Sequence, residues 1–165
     1  MKSTAGAKIK DHALVPQFDL PATGGRRAMT WGYKGLRNLV IVFLPDIRNS
    51  ESRRILQDLA KRYSEYRDHN AEILVVSKDN IETLESLSKE LGLPFPLASD
   101  VDGSVTESYT ELAPATFVLD RYGELYAHSE FGIDREFPDY QQILDWLHLI
   151  ELQCPECGIP TWGSG

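Results

Sequence analysis

The sequence predicts one α/β domain with a mixed central β-sheet flanked by helices, and three observations carry that expectation. Two continuous apolar runs, Leu39-Val40-Ile41-Val42-Phe43-Leu44 and Ile73-Leu74-Val75-Val76, read as strands buried on both faces. Stretches with helical spacing alternate with them: Ile55, Leu56, Leu59 and Tyr63, then Ile81, Leu84, Leu87 and Leu91. Late in the chain, Arg121-Tyr122-Gly123 separates two strand-like segments, residues 115–119 and 124–130, as a hairpin loop does.

The elements follow in order. Pro16, Phe18, Leu20 and Pro21 mark an extended segment, Gly24-Gly25 a turn, and residues 27–31 a short strand. Pro45 ends the first buried strand, and Asn49 or Ser50 caps the helix that follows. Asn80 caps the second helix, Glu85 and Lys89 support it as an i,i+4 pair, and Gly92 closes it. Pro94, Pro96 and residues 100–103 predict a loop, with a short helix over 104–109. Residues 138–152 form an amphipathic helix carrying Tyr140, Ile143, Leu144, Leu147 and Ile150. The order β-β-α-β-α-β-β-α favours parallel pairing in the first half and an antiparallel hairpin in the second. The expected organisation is a flexible N-terminal arm (1–12), a domain (13–152) and a short tail (153–165).

Net charge is −8, from 25 acidic and 17 basic side chains, and the only basic clusters are Arg26-Arg27 and Arg53-Arg54. Such a chain is repelled by phosphate backbones, so neither nucleic acid nor an anionic membrane is expected as a partner. No apolar run approaches the roughly 18 residues of a membrane span. Residues 1–10 lack the apolar stretch of a secretory signal, and the expected location is the cytoplasm. The two cysteines, Cys154 and Cys157, cannot form a disulfide framework.

Several motifs resemble those of the peroxiredoxins, the alkyl hydroperoxide reductase and thiol-specific antioxidant family, and of their redoxin relatives. Pro16-Gln17-Phe18-Asp19-Leu20 is similar to the family's opening A/V-P-x-F-x-L, and residues 38–45 to its strand ending in F-x-P. Leu97-Ala98-Ser99-Asp100 with Asp102-Gly103 resembles L-x-S-D-x-D-G, with Tyr109 where the family carries a tyrosine. Thr116-Phe117-Val118-Leu119-Asp120 and Gly123 resemble T-F-V-I-D-x-x-G. The resemblance implies a thioredoxin-like fold with an N-terminal extension and a thiol-dependent antioxidant oxidoreductase.

The chain departs from the family at the reactive centre. The motif P-x-x-x-T/S-x-x-C reads Pro45-Asp46-Ile47-Arg48-Asn49-Ser50-Glu51-Ser52, with Asn49 and Ser52 at the threonine and cysteine positions. In place of R-x-T-F stands Pro114-Ala115-Thr116-Phe117. A peroxidatic cysteine attacks as a thiolate, and a serine hydroxyl without a base has no comparable reactivity. Peroxidase activity is therefore not expected. Pro114 instead resembles the cis-proline of the thioredoxins and dithiol redoxins, which predicts a cis Ala113–Pro114 bond near the start of the first helix and a groove for a protein partner or thiol reductant. The alternative is a non-catalytic binding protein.

Cys154-Pro155-Glu156-Cys157-Gly158 supplies the remaining sulfur. Three readings stand: a redox pair, half of a zinc knuckle completed by His148 or by the tail of a second subunit in a homodimer, or an inert thiol pair. A stabilising disulfide is not expected, because so short a loop gains little chain entropy. His12, His69, His128 and His148 have no metal-site spacing and are expected to be solvated. Turn formation accounts for Asp100 and Asp102, and Trp162 is expected to pack against its own domain or a partner.

Overall fold

The structure, a computed structural model, describes residues 8–33, 35–130 and 137–157, with backbone alone over 154–157. The strands are β1 (Asp19–Ala22), β2 (Arg26–Met29), β3 (Asn38–Leu44), β4 (Ala71–Ser77), β5 (Leu97–Ser99), β6 (Ala115–Leu119) and β7 (Leu125–Glu130), and the α-helices are α1 (Ser50–Asp68), α2 (Ile81–Leu91), α3 (Ser104–Tyr109) and α4 (Tyr140–Cys157). One seven-stranded sheet runs in the order β2-β1-β5-β4-β3-β6-β7. β3, β4 and β5 are parallel, and the flanking pairs are antiparallel. This is the thioredoxin-like α/β architecture expected from the sequence.

Alternation along β3 divides the core. Val40, Val42 and Leu44 face one layer, where they meet Ile55, Leu59, Leu84, Leu147 and Ile150 of α1, α2 and α4. Ile41 and Phe43 face the other, where Phe18, Tyr109 and Phe117 pack as edge-to-face and tilted rings. Every β3 residue is buried, as its continuous apolar run requires.

Three details differ from the sequence expectation. Residues 97–99 pair with β4 as a short strand, although the flanking prolines and aspartates mark a loop. Residues 8–12 are attached to the domain: the Lys8 N–H donates to the Tyr109 carbonyl at 2.9 Å, the His12 N–H to the Leu125 carbonyl at 2.7 Å, and Ile9 is buried. α4 continues past Leu152 to Cys157. Trp162 and the far end of the tail lie outside the described residues.

Candidate functional site

The departing motif residues gather at the carboxyl end of β3. Antiparallel pairing of β3 with β6 sets Phe43 opposite Ala115, so the next step outward brings Pro114 beside Leu44, one residue before Pro45. The Ala113–Pro114 bond is cis, as expected, and so is Phe137–Pro138. Pro114 is buried and Pro45 exposed.

Beyond Pro45 the chain turns into α1 through an Asn49 cap. The Asn49 side chain accepts the Ser52 N–H at 2.7 Å, satisfying one of the free amides of the first helical turn. Ser52 is 1% exposed. The turn is held from outside by Asp79, a residue that no sequence motif marked. Its carboxylate accepts the Ile47 N–H at 3.0 Å and the Ser77 hydroxyl at 2.6 Å, while its carbonyl accepts the Ser99 hydroxyl at 2.7 Å. Arg48, exposed, lies 3.6 Å from Asp46 and 3.9 Å from Asp79.

A cleft of about 360 Å³ opens beside this turn, at the strand ends where open α/β sheets bind ligands. Leu44, Pro45 and Ala113 are among the residues that line it. Lys8, Lys78, Glu107 and Glu111 also line it, with Lys8 3.9 Å from Glu111. Ser52 is not among the residues lining this cleft.

Asp100 organises the adjoining corner. Fully buried, it accepts the Val105 N–H at 3.2 Å, the Thr106 N–H at 2.8 Å and the Thr106 hydroxyl at 2.7 Å. Asp102 accepts the Ser104 N–H at 3.0 Å, and this bond holds its carboxyl below the usual range. Both aspartates thus serve the turn into α3, as expected. Tyr109, at the end of α3, donates its hydroxyl to the Pro16 carbonyl at 2.7 Å and so ties the N-terminal segment to the same corner.

The end of α4, whose backbone carries positions 154 and 157, belongs to another part of the molecule. Glu151 of α4 accepts from the Asn38 side chain at 2.7 Å, and Asn38 begins β3. A seven-residue strand spans about 20 Å, so the end of α4 lies at the opposite pole of the sheet from Pro45 and Ser52. The side chains of Cys154 and Cys157 lie outside the described residues. His148, expected as a further zinc ligand, sets its ring against His69 with centroids 5.5 Å apart. Among the described residues, no group of three potential metal ligands converges.

One histidine contradicts the expectation of solvation. The His128 side chain is 1% exposed, stacks on Phe117 with centroids 5.8 Å apart, and has Nδ1 2.9 Å from Glu130 Oε2. The reason is register. Phe117 and His128 are cross-strand partners, so the pairing register sets the imidazole on the aromatic face of the sheet.

With fold and site defined, comparison places the chain. The AhpC/TSA family profile matches residues 12–128, and the chain belongs to that family. Chloroplastic peroxiredoxin Q of Sedum lineare is 24% identical over 156 residues, covering 88% of this chain and 83% of that protein. Alkyl hydroperoxide reductase E of Mycobacterium bovis is 28% identical over 120 residues, covering 67% and 78%. The crystal structure of peroxidoxin BcpB from Mycobacterium tuberculosis superposes with a TM-score of 0.75 at 19% identity, over 86% of this chain and 98% of that one. The protein is a peroxiredoxin-like redoxin. No helix among the described residues is long and apolar enough to cross a membrane.

Proposed function

We propose that this redoxin has no thiol peroxidase activity at the family's reactive position and acts there as a binding protein. The observation that carries the reading is Ser52. It is the third residue of α1, at the positive end of the helix dipole, where a thiol would be driven toward its thiolate. A hydroxyl ionises far above neutral pH, so the same dipole leaves it protonated, and activation would need a base. The four histidines are engaged elsewhere: His12 with Glu124, His69 with the Glu65 carbonyl and the His148 ring, and His128 with Glu130. Pro114 stands at the position where the family motif R-x-T-F carries its arginine.

What remains is the cleft beside Pro45 and Ala113, whose two lysines and two glutamates suit an extended polypeptide or a thiol reductant. A separate role for Cys154 and Cys157, as a dithiol or a zinc site shared between two copies, is the second reading. The placement of Glu151 favours independence of the two ends, since about 20 Å of sheet separates them.

Peroxide consumption with dithiothreitol as reductant tests the reading. The expected result is no acceleration by the Cys154→Ser/Cys157→Ser protein. Turnover that survives in that double variant would overturn the assignment of Ser52. Turnover present in the wild type and lost in the variant would assign it to the tail.

A further inference from the structure

The buried His128–Glu130 pair opens onto a second cleft, away from Ser52. Glu130 is 1% exposed, and its Oε2 faces His128 Nδ1 at 2.9 Å. A carboxylate only accepts, so Nδ1 carries a hydrogen, and in the neutral tautomer that this bond selects Nε2 presents a lone pair. That Nε2 is buried and has no hydrogen-bond partner. Asp11 Oδ1 lies 3.9 Å from it, beyond bonding distance. His128 and Asp11 both line a cleft of about 330 Å³ whose other walls include His12, Tyr126, Gln142 and Trp146.

We infer that this cleft binds a small primary ammonium compound. The inference is independent of the reading of Ser52. Three features specify the ligand. An acceptor nitrogen held by a buried carboxylate calls for an N–H or O–H donor, because an unmet buried acceptor is costly. Asp11, whose only ion pair among the described residues is the long approach to His128, calls for positive charge. The second histidine of the wall is already engaged, since His12 Nδ1 lies 2.8 Å from Glu124 Oε2. Trp146 and Tyr126, with ring centroids 6.4 Å apart, provide the aromatic wall that attracts a cation. A primary ammonium meets all three demands at once. An alcohol leaves Asp11 without a counter-charge, and a quaternary ammonium has no hydrogen for Nε2.

Calorimetric titration of the full chain with n-butylammonium, butyltrimethylammonium and 1-butanol tests the inference, alongside NMR of the histidine ring nitrogens. The expected result is saturable binding of n-butylammonium with a shift of the His128 Nε2 resonance. The two analogues should bind at least several-fold more weakly. Asp11→Asn, at a half-exposed site, should weaken n-butylammonium by roughly three- to tenfold without altering thermal unfolding. No saturable binding, equal binding of butyltrimethylammonium, or a bound state that leaves the His128 resonances unmoved would overturn it.

Discussion

The Asn38 side-chain amide donates to Glu151 Oε2 at 2.7 Å, joining the first residue of β3 to the last helix. The same amide donates to the His69 carbonyl at 3.1 Å, and Arg121 approaches Glu151 at 3.4 Å. This knot fixes the pole of the sheet at which α4 ends, opposite the pole that holds Ser52.

Breaking the knot should loosen α4. Glu151→Ala should cost about 1–2 kcal/mol, and Asn38→Ala somewhat more because Asn38 is fully buried and also serves the His69 carbonyl. Urea unfolding measures both, and hydrogen exchange should rise first in the last turns of α4. A double variant whose cost equals the sum of the single costs would show that the two residues act separately.

Asp100 should be among the most sensitive polar positions. Asp100→Ala strands two backbone amides and the Thr106 hydroxyl in a buried corner and should cost about 3 kcal/mol or more. Asp100→Asn keeps an acceptor and should cost less, and Thr106→Val about 1–2 kcal/mol. Equal midpoints for Asp100→Ala and Asp100→Asn in chemical denaturation would contradict this.

Burial pushes the phenols of Tyr66, Tyr109 and Tyr140 well above their ordinary range, and the nearby Asp58 carboxylate adds to the effect at Tyr140. A raised folded-state pKa contributes stability that is complete below the unfolded value of about 10 and is lost as pH rises beyond it. Stability should therefore fall above about pH 10, with the tyrosinate absorbance of these three side chains appearing together with unfolding. Their smooth ionisation in a protein that stays folded would contradict the placement.

Ser52→Cys, made in the Cys154→Ser/Cys157→Ser background, should fold, because the exchange conserves volume at a buried site. Its thiol should react slowly with a bulky disulfide reagent and should not confer efficient peroxide turnover, since Pro114 still occupies the arginine position. Peroxidase turnover near that of active family members would show that the serine alone suppresses the chemistry.

Most of the fold was legible because its signals are local. Two unbroken apolar runs mark the central parallel strands, capping asparagines mark α1 and α2, and Arg121-Tyr122-Gly123 marks the hairpin. β5 was not legible: three residues carry no periodicity, and their pairing is set by β4. The Ser52 position was legible because a spaced motif needs no tertiary information. Asp79 and the His128–Glu130 pair were not, because each acquires its meaning from residues brought close by folding: Ile47 and Ser77 for the first, Phe117 and Asp11 for the second. Alternation over 124–130 put His128 and Glu130 on one face, which was the available clue.

The most direct measurement is the second-order rate constant for hydrogen peroxide with the fully reduced Cys154→Ser/Cys157→Ser protein. The account predicts no reaction above the protein-free baseline, because no thiolate remains and the Ser52 hydroxyl stays protonated. A saturable, protein-dependent loss of peroxide in that variant, abolished by Ser52→Ala, would contradict it.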